Sequence, residues 1–188
     1  MIHTILFDLD DTLYPPRAGI MEQLRTLMLD YMRIRLNLSP AQADELRRHY
    51  FQVYGTTMRG LQINHQIDPD EFLEFVHDIP LDKHIQPNPE LDRVLDSIAL
   101  EKIIFTNASR EHAEAVLSRL GIRRHFEFVI VSSLVGLEKP NPAIFDLAVR
   151  KSGCRPEKML YVGDSPASDV AGSQAAGWDA VLIARRDP

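Results

Sequence analysis

The sequence predicts an α/β protein, a doubly wound (Rossmann-like) parallel sheet of five strands interrupted by an all-helical insert. Three observations carry this reading. Five short runs, Thr4–Leu9, Lys102–Thr106, Phe128–Ser132, Met159–Gly163 and Ala180–Ala184, are near-continuously apolar, as strands buried on both faces are. From Pro89 onward, helical and strand patterns alternate, which is the order of a parallel sheet with helical crossovers. From Tyr14 to His84 no convincing strand pattern occurs.

The elements follow in order. Thr4–Leu9 is the first strand. Ile20, Leu24, Leu27, Met28 and Tyr31 then form an amphipathic helical stripe. Ser39-Pro40-Ala41-Gln42 is a capping box opening a second helix that ends near Gly55. Asp68-Pro69-Asp70-Glu71 reads as another capping box, opening Phe72–His77. Pro15-Pro16 and Pro87-Asn88-Pro89 read as linkers, so residues 15–85 are expected to be a helical cap and 1–14 with 86–188 the α/β core. Asn88-Pro89 and Asn141-Pro142 each place a capping residue before a proline at the first helical position. Ser109 caps a helix that runs to Leu120 and stops at Gly121, and a last helix runs from about Asp169 to Gly177.

Composition narrows the function. The chain has 188 residues, 45% of them hydrophobic, enough for one packed domain with a smaller appendage. Its net charge is −6 and no Lys/Arg run supplies a basic face, which argues against a nucleic-acid polymer as partner. Cys154 is the single cysteine, so an internal disulfide and a Cys-rich zinc site are excluded, and a reducing, cytoplasmic location is expected. No basic segment followed by an apolar one marks a signal peptide, and no apolar stretch approaches the ~18 residues of a membrane span.

In open parallel sheets, chemistry gathers at the carboxyl ends of strands. Here the first run ends in Asp8 and Asp10, and the second in Thr106-Asn107. Gly136-Leu137-Glu138-Lys139-Pro140 follows the third, and the fourth ends in Gly163-Asp164, with Asp169 five residues on. Each item has an ordinary reading: a DxD can cap a turn, GDS is a common loop, and a lysine before proline is usually solvated. On consecutive strand ends they converge four carboxylates, a hydroxyl and a lysine on one edge. Such carboxylates repel one another strongly without a cation.

With these residues the chain resembles the haloacid dehalogenase superfamily of phosphohydrolases. Asp8-Leu9-Asp10-Asp11-Thr12 stands as its first motif, Thr106-Asn107 as its second, Lys139-Pro140 as its third and Gly163-Asp164 with Asp169 as its fourth. The resemblance implies strand order 3-2-1-4-5 and a helical cap inserted after the first motif. It implies Asp8 as nucleophile, forming an aspartyl-phosphate, and Asp10 as general acid and then base. It implies Mg²⁺ held by Asp8, the Asp10 backbone carbonyl, Asp164 and Asp169, directly or through water. Thr106 and the Asn107 backbone would hold phosphate oxygens, and Lys139 would hold both the phosphate and Asp8. Relatives that cleave C–halogen bonds lack an acid two residues after the nucleophile, so Asp10 points to phosphate esters.

Phe7-Asp8-Leu9-Asp10-Asp11-Thr12-Leu13-Tyr14-Pro15, Tyr54-Gly55-Thr56-Thr57 with Gly60-Leu61, and Phe105-Thr106-Asn107-Ala108 look like the pyrimidine 5′-nucleotidase branch. That implies a nucleoside monophosphate as the small-molecule partner and a monomer or homodimer. Arg59, between two glycines of the cap, is the candidate substrate contact, although the same stretch also reads as an ordinary interhelix loop. Alternatives are another small-metabolite (sugar) phosphatase, a phosphomutase of the same fold, and a non-catalytic binding protein.

Overall fold

The computed structural model describes residues 1–132 and 137–184, so Gly136, at the start of the segment read after the third apolar run, and the last four residues lie outside the described residues. The chain divides into two compact units, Met1–Ala18 with Leu81–Pro188, and Gly19–Pro80.

The first unit is built on five parallel strands: β1 (Thr4–Phe7), β2 (Glu101–Thr106), β3 (Val129–Val131), β4 (Met159–Gly163) and β5 (Asp179–Leu182). Their order is β3-β2-β1-β4-β5, with β1 in the middle. Both neighbours of β1 align with it over its full length: Phe7 lies opposite Ile104 on one side and Val162 on the other. The three strand ends that carry the predicted first, second and fourth motifs therefore lie side by side.

The core explains why these runs are strands. Leu6, Ile103, Phe105, Ile130, Met159 and Tyr161 from the sheet pack with Ile144, Phe145 and Ala148 of a covering helix and with Trp178. Phe105 meets Phe145 edge to face at 5.4 Å, and Phe145 meets Trp178 in the same way at 5.3 Å. Such pairs add to the burial of apolar area that drives the sheet together.

β5 departs from its prediction as a strand buried on both faces. Val181 and Leu182 are 47% and 43% exposed. The strand lies at the edge of the sheet and pairs with β4 alone, so its apolar residues reflect strand preference more than burial.

The helices of this unit, numbered with those of the second, begin where their caps predict. Asn88 accepts from Leu91 N at the start of α5 (Pro89–Ser97), Ser109 from His112 N at α6 (Arg110–Leu120), and Asn141 from Ala143 N at α7 (Pro142–Ser152). The last helix, expected from about Asp169, is split in two. A wide turn, Pro166–Ala171, leads into α8 (Gly172–Ala175), and Val170 N reaches back five residues to Ser165 O at 3.2 Å. This turn carries Asp169 inward instead of leaving it at the helix start.

The second unit is all-helical: α1 (Ile20–Leu36), α2 (Pro40–Tyr54), α3 (Thr57–His65) and α4 (Pro69–Val76). Of the predicted stripe on α1, Ile20, Leu24 and Tyr31 are buried, and Tyr31 packs edge to face on Phe72 at 5.2 Å. The capping box at Ser39 and Gln42 is formed. The one read at Asp68 is not. Asp68 caps through Asp70 N, and Glu71 pairs with Arg35 of α1 instead of reaching back.

The Tyr54–Leu61 segment is mostly helix, with only Gly55 and Thr56 between α2 and α3. Gly55 takes φ +82° as the turn requires, and Thr56 caps α3 by accepting from Arg59 N. Gly60 has a packing reason, because a Cβ there would lie 2.2 Å from the Tyr50 ring. We expect Gly60→Ala to destabilise the helical unit by about 1–3 kcal/mol. An unchanged urea midpoint would show that the Tyr50 ring yields without cost.

Candidate active site

The site begins where β1 runs out. Asp8 N donates to Val162 O at 2.9 Å, so the β1–β4 ladder continues one residue past the strand and fixes the Asp8 backbone. The chain then turns tightly: Leu13 N donates to Leu9 O at 2.9 Å, and Asp11 takes φ +58°. Aspartate is among the few residues that tolerate this left-handed conformation, which accounts for Asp11 as a turn residue.

Lys139 anchors the site. Its ammonium is buried and has three donors, each with an acceptor: Asp8 Oδ1 at 2.8 Å, Asp169 Oδ1 at 2.8 Å and the Tyr161 hydroxyl oxygen at 2.5 Å. Tyr161 in turn donates to Phe105 O at 2.9 Å. The second oxygen of Asp8 lies 3.2 Å from the Thr12 hydroxyl, which is also 3.3 Å from Asp164 Oδ1. Asp169 Oδ2 accepts from Ser165 N at 3.0 Å. Gly163 makes room for this carboxylate, since a Cβ there would lie 2.4 Å from Asp169 Oδ2.

The second motif splits in two. Thr106 ends β2 and accepts from Ala108 N at 3.1 Å, an arrangement that leaves its hydroxyl proton directed elsewhere. The Asn107 side chain clamps the lysine loop. Its Oδ1 accepts from Lys139 N at 2.9 Å and from the Ser132 hydroxyl at 2.6 Å, and its Nδ2 donates to Lys139 O at 3.1 Å. Asn107 thus ties the loop after β3 to the end of β2.

Asp10 is partly buried. Its Oδ1 accepts from the Tyr14 hydroxyl at 2.5 Å and from His112 Nε2 at 2.9 Å, which assigns the Nε2–H form to that imidazole. Tyr14, His112 and Tyr161 escaped the sequence reading. Tyr161 lies within an apolar strand and Tyr14 just after the first motif, where neither looks polar in purpose. His112 carried a signal, as a histidine in the first turn of the helix that follows the second motif.

The electrostatics follow from burial and crowding. Burial pushes the Asp8 carboxyl up to about 7 against the pull of Lys139, and Asp169 and Asp10 push the same way. Asp164 is raised by burial and by Asp169. Burial opposes the charge on Lys139, but Asp8 and Asp169 together outweigh it and raise the ammonium above its usual range. Tyr14 is raised by burial and by Asp10, so its phenol keeps its proton.

Three carboxylates, Asp8, Asp164 and Asp169, place one oxygen each within 4.8 Å of one another. All-oxygen donors with surplus negative charge fit a hard divalent cation such as magnesium. Asp8 and Asp169 each have protein partners on both oxygens, and Asp164 has the Thr12 hydroxyl on one. The core residues named from sequence are thus assembled in one place. Arg59 belongs to the helical unit, where it donates to Gln62 Oε1 at 2.7 Å.

A five-stranded parallel sheet whose strand ends join a buried lysine to a carboxylate cluster defines a doubly wound α/β protein with an acidic site at the carboxyl ends of its strands. The comparisons with known proteins place it more closely. A family model described as haloacid dehalogenase-like hydrolase matches residues 2–177, and the chain belongs to that family. Glyceraldehyde 3-phosphate phosphatase of Methanopyrus kandleri is 31% identical over 208 residues, spanning 98% of this chain and 85% of the relative. The pyrimidine 5′-nucleotidase YjjG of Escherichia coli is 38% identical over 76 residues, 39% of this chain and 33% of the relative. The crystal structure of a HAD phosphatase from Thermococcus onnurineus superposes with a TM-score of 0.63 at 24% identity, covering 100% of this chain and 88% of that one. The protein is accordingly a hydrolase.

The Asp8 environment sets a pH dependence for the metal-free protein. A carboxyl raised to about 7 from 3.8 binds more protons folded than unfolded, so its contribution to stability falls as pH rises between those values. With chelator present, we expect the urea midpoint to be lower at about pH 8 than at about pH 5. Asp8→Asn should flatten that difference. Equal slopes for the two proteins would contradict the burial argument.

Proposed function

We propose that this hydrolase cleaves small phosphomonoesters through a phosphorylated Asp8, with Mg²⁺ as cofactor. The observation that carries the reading is the buried Lys139 ammonium, 2.8 Å from Asp8 Oδ1, with a second acid two residues along the chain. Lys139 holds the attacking carboxylate in one orientation and balances negative charge as it gathers on the phosphoryl oxygens. Thr106 offers its hydroxyl proton, and the Asn107 backbone its N–H, to those oxygens. Asp10 gives a proton to the leaving oxygen as Asp8 bonds to phosphorus. It then takes a proton from the water that attacks the aspartyl-phosphate, releasing phosphate and restoring both carboxyls. Asp8 and Asp164, the Asp10 carbonyl, and Asp169, directly or through water, would hold the magnesium ion. When bound, the ion supplies charge neutralisation for the phosphoryl group.

For the substrate, we favour a small phosphorylated metabolite of triose phosphate size. The support is that the likeness to a glyceraldehyde 3-phosphate phosphatase runs along nearly the whole chain, insert included. A nucleoside monophosphate is the second reading, supported by the higher but local identity to a pyrimidine nucleotidase.

Two measurements test this. Asp8→Asn should abolish phosphate release, Asp10→Asn should lower it by about a hundredfold or more, and chelator should remove it reversibly. Turnover retained in Asp8→Asn would end the covalent reading. A screen of phosphorylated metabolites with Mg²⁺ should rank glyceraldehyde 3-phosphate and similar short esters above UMP and CMP. The reverse ranking would favour the nucleotidase, and an isomerised sugar phosphate without free phosphate would favour a mutase.

A further inference from the structure

Two side chains outside the predicted motifs converge on a single atom. The Tyr14 hydroxyl and His112 Nε2 lie 2.5 and 2.9 Å from Asp10 Oδ1. Both side chains are almost wholly buried, Tyr14 at 1% and His112 at 3% exposure. They come from different distances along the sequence, 4 and 102 residues after Asp10. Tyr14 follows the turn after β1, and His112 stands in the first turn of α6, whose cap Ser109 binds His112 N at 3.2 Å. That cap fixes the helix start from which the imidazole reaches Asp10.

A carboxylate oxygen has two lone-pair directions in its plane, and here two donors take both. Neither donor depends on the charge of Asp10, because the carbonyl oxygen of a protonated carboxyl still accepts two hydrogen bonds. A proton placed on Oδ1 would instead displace one donor and leave a buried phenol or imidazole N–H without its acceptor, at the cost of that group's desolvation.

We propose that Tyr14 and His112 are positioning residues that hold Asp10 by Oδ1 and so assign its transferable proton to Oδ2. The proposal rests on the phosphatase reading above. In the first half-reaction, the proton on Oδ2 passes to the leaving oxygen as the P–O bond to the alcohol breaks and the bond from Asp8 forms. In the second, Oδ2 takes a proton from water as water oxygen bonds to phosphorus and the bond to Asp8 breaks. Oδ1 keeps its two donors throughout, so the carboxyl does not have to rotate between its acid and base duties.

The distinguishing readout is leaving-group dependence. Protonation of the leaving oxygen matters for alkyl phosphates and hardly at all for aryl phosphates whose phenolate leaves unaided. The test is kcat/KM, which reports the first half-reaction, across a series of aryl and alkyl phosphates with Mg²⁺. His112→Ala should lose about a hundredfold on alkyl esters but only a few-fold on the best aryl esters, giving a steeper dependence on leaving-group basicity. His112→Gln, which keeps an N–H donor, should recover most of the loss. Tyr14→Phe, which removes one hydroxyl and keeps the ring in the core, should shift the dependence in the same direction. Parallel losses on all esters, or no loss on any, would overturn the proposal. Turnover by Asp8→Asn would instead overturn the phosphatase reading beneath it, and the two failures are told apart by that variant alone.

Discussion

The Lys139 ammonium is the constraint on which the α/β unit depends. A buried cation is stable only if its charge is paired and its donors are satisfied. Here the partners come from separate parts of the chain: Asp8 from the end of β1, Tyr161 from within β4 and Asp169 from the turn after it. None of them can satisfy the lysine unless β1 and β4 are neighbours in register, which the sheet order provides. Folding the sheet and assembling the site are thus one event. Losing any one partner would leave a buried donor unmet at a cost of about 1–3 kcal/mol, and more where the lost partner is charged.

The surrounding residues serve that contact. Asn107 ties the backbone on both sides of the Lys139 side chain to the end of β2, and Gly163 leaves room for the Asp169 carboxylate. The charge balance remains incomplete. One ammonium faces the carboxylates Asp8 and Asp169 directly, and burial, reinforced by Asp169 and Asp10, raises Asp8 in spite of its lysine. The excess of acid is what a divalent cation would relieve, and it links the stability of the site to its chemistry.

Much of this was legible in the sequence because it is periodic or punctuated. Continuous apolar runs gave away the parallel strands, and Asn-Pro and Ser capping signals placed α5, α6 and α7 to the residue. The reading failed where a residue's job is set by a distant partner. β5 looks like its buried neighbours in composition, but its edge position leaves it exposed. Glu71 had the spacing of a capping box, yet Arg35 offered an opposite charge. Tyr161 and His112 acquire their roles only when the sheet brings Lys139 and Asp10 to them, and Tyr14 acquires its role when the turn after β1 folds it back onto Asp10. Asn107 was recognised for its backbone, whereas its side chain makes the contacts that hold the lysine loop.

The account comes down to one bond, between an Asp8 carboxylate oxygen and phosphorus. In the proposed mechanism Lys139 orients that oxygen and Asp10, two residues away, moves the proton, while the carboxylate cluster favours a cation beside it. The direct measurement is to quench the Mg²⁺-loaded enzyme during turnover, reduce it with borohydride and map the product by peptide mass spectrometry. The account predicts homoserine at position 8, the reduction product of an aspartyl-phosphate. An unmodified Asp8 under conditions of rapid turnover, or label at another carboxylate, would contradict it.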